Sequence, residues 1–151
     1  MLVEEIMLPE VVAVSEFDLV ADVVGFLSRR KIAEVLVVDL EQRPVGYFSA
    51  SLFFRQLIES AQKEIAIAGN FMTAIREKIK EFSSQEISEF MNTDFDYLEA
   101  DEDLEEALDL LLNTSLELIP VVRGGKVVGM ISHTRFLQYF IEKMREVRKN
   151  E

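Results

Sequence analysis

A chain of 151 residues that repeats itself after 84 of them is committed to two copies of one small unit. Set against itself at that offset, the sequence aligns Glu5 with Glu89, Met7 with Met91, Leu27 with Leu111, and Val37-Val38 with Val121-Val122. One residue fewer in a later loop changes the offset to 83. Val45-Gly46 then meets Val128-Gly129, Ser49 meets Ser132, Phe53 meets Phe136, and Ile58 meets Ile141. Apolar positions agree between these identities: Ile6 with Phe90, Val14 with Leu98, Val20 with Leu104, Val35 with Ile119, and Phe48 with Ile131. A copy of roughly 55 residues buries too little surface to be stable alone, so the two are expected to pack against each other.

Both copies read in the same order. A short strand is predicted at Val11–Val14 and at Phe95–Leu98. A helix follows, with Val20, Val23, Val24 and Leu27 on one stripe in the first copy and Leu104, Leu108, Leu111 and Leu112 in the second. Asp103, with Glu106 three residues on, is in the position of a capping box. Two β-branched runs come next, Val35–Val38 with Val45–Phe48, and Ile119–Val122 with Val127–Ile131. The turn Arg123-Gly124-Gly125-Lys126 marks a hairpin, because paired glycines supply the positive φ a tight turn needs. A second helix closes each copy, from about Ser51 and from about Thr134. Between the copies the first closing helix is predicted to run on to Ala68 and stop at Gly69-Asn70. Another amphipathic helix then carries Phe71, Met72, Ile75, Ile79 and Phe82. With a single Gly and no Pro, this connector is not a flexible linker.

Composition excludes several classes of chemistry. Without cysteine there is no disulfide frame, no thiolate nucleophile and no Cys-based zinc site. A single histidine, His133, rules out a multi-His metal centre. A net charge of −12 argues against binding a phosphate backbone, so no nucleic-acid partner is expected. No apolar run approaches the ~20 residues of a membrane span, and the N-terminus lacks a signal-peptide pattern; a cytoplasmic location without membrane contact is the expectation. No nucleophile–base pair or phosphate loop is visible, so a catalyst is not expected. The acidic stretch Asp101, Glu102, Asp103, Glu105, Glu106 and Asp109 is read as helix capping and solubility in preference to a cation site. The basic residues Lys143, Arg145, Arg148 and Lys149 suit the C-terminal end of a helix.

The ordered set resembles a tandem pair of cystathionine-β-synthase-type (CBS) domains, a Bateman module. It is carried by Ile6-Met7 and Phe90-Met91, by the helical stripes, and by Val35-Leu36-Val37-Val38-Asp39 with Ile119-Pro120-Val121-Val122. Val45-Gly46-Tyr47-Phe48-Ser49 and Val128-Gly129-Met130-Ile131-Ser132 complete it. The resemblance implies an α/β fold of two β-α-β-β-α repeats, packed sheet-to-sheet with pseudo-two-fold symmetry and joined by a helical connector. Repeat 1 is placed at 1–60, the connector at 61–86, repeat 2 at 87–142 and a helical tail at 143–151. It further implies a standalone, non-catalytic regulatory module that forms a homodimer through helices. Such a module senses an adenosine-type ligand such as AMP, ATP or S-adenosylmethionine between the repeats and regulates a partner protein in trans. The alternative is a ligand-free dimerisation scaffold.

The candidate ligand residues are Ser49, Ser132, His133 and Arg135. In the family a Gly, two apolar residues and a Ser/Thr precede an Asp, whose carboxylate joins the hydroxyl in holding the ribose. Gly46-Tyr47-Phe48-Ser49 and Gly129-Met130-Ile131-Ser132 keep the hydroxyl, but Leu52 and Arg135 stand where the carboxylate belongs. Capping of the following helix is an equal account of both serines. A basic residue is usual before the second strand, yet Glu34 and Leu118 (after Glu117) stand there. A carboxylate there repels phosphate by about 1 kcal/mol or more at contact, which penalises AMP and ATP above S-adenosylmethionine. In the second copy, Ser132, His133 and Arg135 with free backbone N–H groups form a candidate site for a small anion, against the plainer reading of an exposed arginine.

Overall fold

The computed structural model describes residues 1–149. The first repeat contains β1 (Ala13–Ser15), α1 (Val20–Arg30), β2 (Glu34–Val38), β3 (Pro44–Ser49) and α2 (Ala50–Gln62). The connector forms α3 (Ile65–Ala68) and α4 (Phe71–Ser83). The second repeat contains β4 (Leu98–Glu99), α5 (Leu104–Asn113), β5 (Ile119–Arg123), β6 (Lys126–Ile131) and α6 (His133–Lys149). Asn150 and Glu151, at the end of the expected tail, lie outside the described residues. Two three-stranded sheets result, ordered β1-β2-β3 and β4-β5-β6. β1 is parallel to β2, with Ala13 opposite Leu36, and β4 is parallel to β5, with Leu98 opposite Val121. The fold is therefore mixed α/β, with the β-α-β-β-α order in each repeat.

Local chemistry fixes the boundaries. Gly124 and Gly125 take φ of 59° and 78° in the β5–β6 turn, as the hairpin signal requires. Asn70 caps α4 by accepting from the Thr73 N–H at 2.9 Å, after Gly69 ends α3 at φ 95°. Asp103 caps α5 by accepting from Glu105 N–H at 2.9 Å, one residue earlier than the capping-box pattern predicts. The leading strands begin later than the apolar runs suggest, at Ala13 and at Leu98. Val11 and Val12 lie ahead of the ladder, and the Val12 N–H points instead to Met130 Sδ at 3.3 Å. The helix expected to continue to Ala68 breaks after Gln62. The break lets Glu64 reach Lys78 on α4, at 2.7 Å from Nζ, and a second carboxylate, Glu81, lies at 3.0 Å. Hydrogen bonding to Glu64, then to Glu81, holds the Lys78 ammonium above the ordinary lysine pKa.

The chain divides in space into two compact units. The first comprises Ala13–Leu40 and Val45–Asp94; the second comprises Met1–Val12, Glu41–Pro44 and the chain from Phe95 onward. Each unit thus holds the sheet of one repeat and the leading arm of the other. In the second unit the arm is bound by a reciprocal pair, Leu8 N–H to the Met130 carbonyl at 2.8 Å and Met130 N–H to the Leu8 carbonyl at 2.9 Å. The first unit repeats the device with Asn92 and Tyr47, at 2.7 and 2.8 Å. Each arm also lays a methionine on a strand glycine. A Cβ built on Gly129 would fall 2.5 Å from Met7 Sδ and 2.6 Å from the Leu8 carbonyl oxygen. One built on Gly46 would fall 2.6 Å from Met91 Sδ, with the Asn92 carbonyl oxygen at 3.1 Å. Close approach of another chain segment is the reason both strands carry Gly there.

The core of the first unit gathers Val20, Val23, Leu27, Val35, Leu36, Val37 and Phe48, all buried. Consecutive buried residues along β2 mean that both faces of that strand are covered. Phe48 continues into an aromatic cluster, 5.5 Å from Phe53, which lies 6.1 Å from Phe82 and 5.2 Å from Phe90. The second unit buries Ile6, Leu98, Ala107, Ile119, Val121, Met130 and Ile131.

Candidate ligand-binding site

The candidate residues all lie where the third strand of a sheet turns into its closing helix. In the first unit Ser49 caps α2, its Oγ accepting from the Leu52 N–H at 3.4 Å and lying 3.1 Å from Ser51 Oγ. In the second unit Ser132 precedes α6, and its Oγ accepts from the Arg135 N–H at 3.0 Å. Both serines therefore do the capping work the sequence allows. Each such bond uses one lone pair and leaves the hydroxyl proton to donate elsewhere. Replacing either by Ala is expected to cost about 0.5–2 kcal/mol, more at Ser132, whose bond is shorter and partly buried. Denaturant melts of Ser49→Ala and Ser132→Ala check this; equal losses would contradict the geometric ranking.

Arg135 and His133 are drawn to different partners. Arg135 Nε donates to the Ile6 carbonyl at 2.7 Å, and its guanidinium lies 5.7 Å from the centroid of the Tyr139 ring. A cation in the first turn of a helix is opposed by the dipole by about 0.3–1 kcal/mol, and the Ile6 carbonyl and the ring face offset that. The arginine thereby ties the leading arm to α6, while its terminal amino groups remain to meet an anion. His133 Nε2 is 2.6 Å from the Leu111 carbonyl oxygen. A carbonyl only accepts, so Nε2 carries the proton and donates. This turns the imidazole towards α5, where it lines a groove of about 290 Å³ with Leu108, Leu111, Leu112, Phe136 and Leu137. Ser132 and Arg135 are brought together, and His133 faces the groove. Sequence reasoning missed Ile6 and Tyr139 as partners of Arg135; the i,i+4 spacing of Arg135 and Tyr139 on one helix was the available signal.

The acidic stretch has local work as well. Asp103 caps α5 and lies 3.9 Å from the Met1 amino group. Among the described residues no group of three or more His, Asp or Glu is placed to hold a metal ion. Among them, too, no helix is long and apolar enough to cross a membrane.

Comparison with known proteins agrees with this architecture. The model of the CBS domain matches twice, over residues 3–59 and 87–142. A solved structure of the CBS-pair protein CBSX2 from Arabidopsis thaliana superimposes with a TM-score of 0.71 and 20% identity, covering 95% of this chain and 96% of that one. CBSX2 in complex with AMP superimposes at 0.67, again with 20% identity, covering 95% and 98%. The CBS domain of a CBS domain containing membrane protein from Sphaerobacter thermophilus gives 0.65 with 21% identity, over 91% and 86%. In sequence, an A-adding tRNA nucleotidyltransferase of Aquifex aeolicus is 29% identical over 128 residues. That match takes in 85% of this chain and only 13% of the relative's length. Two family matches in tandem, on two sheets of the same topology, place this chain in the CBS domain family.

Proposed function

We propose that the chain is a non-catalytic regulatory module that binds an adenosine-type or small anionic ligand and passes its occupancy to a partner protein. The observation that carries the reading is the pairing of Ser132 and Arg135 at the β6–α6 junction, beside the arm residue Ile6. There the Ser132 hydroxyl can donate to a ribose oxygen, and the guanidinium can meet a phosphate or carboxylate. The AMP complex of CBSX2 supports the adenosine class for this fold. The junction of the first unit, with Ser49, Ser51 and Leu52, offers hydroxyls without a cation and fits an uncharged ribose better than a phosphate. Arg135 also gives a route for regulation. A ligand that draws its guanidinium competes with the Ile6 carbonyl and so alters the seating of the arm.

Native mass spectrometry of freshly purified protein, with melting curves in AMP, ATP, S-adenosylmethionine and inorganic phosphate, tests the proposal. A ligand at 100 times its dissociation constant adds about 2.7 kcal/mol of stability, and Arg135→Ala is expected to abolish the shift for anionic ligands. No retained mass and no shift with any of the four would favour the alternative, a ligand-free interaction scaffold. That reading draws on the absence of the family's ribose carboxylate, replaced by Leu52 and Arg135.

A further inference from the structure

The six methionines of the chain fall into three groups by exposure. Met1, Met72 and Met144 are 51%, 57% and 58% exposed, and Met130 is 1% exposed. Met7 and Met91 are half-buried, and these are the two that the leading arms lay on strand glycines. The Met7 sulfur stands where a side chain on Gly129 would stand, and the Met91 sulfur does the same at Gly46. The strand side of each sulfur is therefore filled, while each residue keeps a face towards solvent. With no cysteine in the chain, the thioethers are the side chains that a two-electron oxidant attacks first.

Each sulfur sits one residue ahead of a backbone clasp. Met7 precedes Leu8, which exchanges two hydrogen bonds with Met130, and Met91 precedes Asn92, which exchanges two with Tyr47. On the other side of Met7, the Ile6 carbonyl accepts from Arg135. On the other side of Met91, the Phe90 ring lies 5.2 Å from Phe53 and 4.9 Å from Phe82. A change at either sulfur thus acts on the middle of the contacts that seat an arm.

We propose that Met7 and Met91 are oxidation sites through which a peroxide unseats the leading arms. A sulfur lone pair attacks one peroxide oxygen and the O–O bond breaks. That oxygen stays on sulfur, and the other leaves as water after proton transfer. The sulfur loses two electrons and the peroxide gains them. The product, a sulfoxide, is larger and polar, on a glycine seat that has no room even for a methyl carbon. Its oxygen is hydrated once the side chain swings off the strand. Oxidation of Met1, Met72 or Met144 only adds an oxygen to a side chain that already stands largely in solvent, so these three absorb the first doses. A thiol-dependent sulfoxide reductase reverses the step: the oxygen leaves as water and two thiols become a disulfide. The proposal does not rest on the ligand reading, since neither methionine belongs to the candidate ligand set.

The test is a hydrogen peroxide titration of the full chain. Peptide mass mapping gives the sulfoxide at each methionine, and hydrogen exchange is read at the Leu8 and Asn92 amides. Exchange at Leu8 is expected to speed up about tenfold or more in molecules carrying Met7 sulfoxide, and at Asn92 in those carrying Met91 sulfoxide. Reductase treatment is expected to restore both. Met7→Leu keeps an apolar side chain on Gly129 without a sulfur, so Leu8 should stay protected at every dose while Asn92 still responds. Met91→Leu should show the converse. Met7→Gln, polar and of similar length, should deprotect Leu8 without peroxide, with circular dichroism confirming that the variant is folded. Met7 and Met91 still reduced when the three exposed methionines are fully oxidised would overturn the proposal. So would Met7 sulfoxide with Leu8 as protected as before, or a Leu8 response that persists in Met7→Leu.

Discussion

Gly129→Ala is expected to destabilise the protein by about 1–3 kcal/mol and to unseat the leading arm, because the new methyl has nowhere to go. It would meet Met7 Sδ at 2.5 Å and the Leu8 carbonyl oxygen at 2.6 Å. Gly46→Ala meets a softer obstacle: Met91 Sδ at 2.6 Å and Cγ at 2.8 Å, with the Asn92 carbonyl oxygen at 3.1 Å. A thioether side chain can swing aside, whereas a backbone carbonyl held in a reciprocal hydrogen-bond pair cannot. The two sites should therefore differ in a double-mutant cycle. Met91→Ala is expected to relieve much of the Gly46→Ala penalty, a coupling of about 0.5–3 kcal/mol. Met7→Ala is expected to relieve little of the Gly129→Ala penalty. Denaturant melts give the couplings, and hydrogen exchange at the Leu8 amide reports the arm directly. Equal couplings, or an unchanged Leu8 amide in Gly129→Ala, would refute the clasp as described.

Phe48→Ala is expected to be the most damaging single truncation in the first unit. Phe48 is 0% exposed and its ring lies tilted against Phe53 at 5.5 Å between centroids, which links it to Phe82 and Phe90. Removing a buried phenyl group costs about 3–5 kcal/mol through lost transfer energy and the cavity left behind. For a chain of this size that lowers the melting temperature by on the order of 10 °C. The cluster joins β3 and α2 to α4 and to Phe90 near the end of the connector, so the loss should also loosen α4. A fall of less than about 1 kcal/mol would mean that neighbouring rings refill the space, and the cluster would then not be the keystone of the unit.

Much of this architecture was legible because a repeat checks itself. Val35–Val38 and Ile119–Val122 read as strands on β-branching alone, and the same order of elements twice over made the fold class secure. Gly124-Gly125 and Gly69-Asn70 announced their turns through backbone chemistry that few other residues satisfy. Pairing in space was not legible. Self-alignment matches Met7 with Met91 and Gly46 with Gly129, but nothing in either segment says which methionine serves which glycine. The residues ahead of β1 and β4 likewise looked like strands at Val11–Val12 and Phe95–Asp96, since an apolar run signals extension and not the partner that would make it a ladder. At the candidate site the capping roles of Ser49 and Ser132 followed from position. The tie between Arg135 and Ile6 spans 129 residues and depends on a backbone carbonyl, which carries no sequence signature. The break after Gln62, which lets Glu64 meet Lys78 on α4, had no local signal, since propensity alone would have continued the helix.

The exchange of arms has a consequence for synthesis. The seat of Met7 on Gly129 is translated more than a hundred residues after Met7 itself, on the order of ten seconds later at typical elongation rates. Until then Ile6 and Val3, both fully buried in the finished protein, have no pocket to enter. The unit of Ala13–Leu40 and Val45–Asp94 is fully translated by that stage and can fold first, so the second unit must be completed around a segment that has been waiting. A nascent chain of this design carries an unseated apolar arm until Gly129 has been made, and a chaperone that holds such segments during synthesis should raise its yield more than one that acts on the released product.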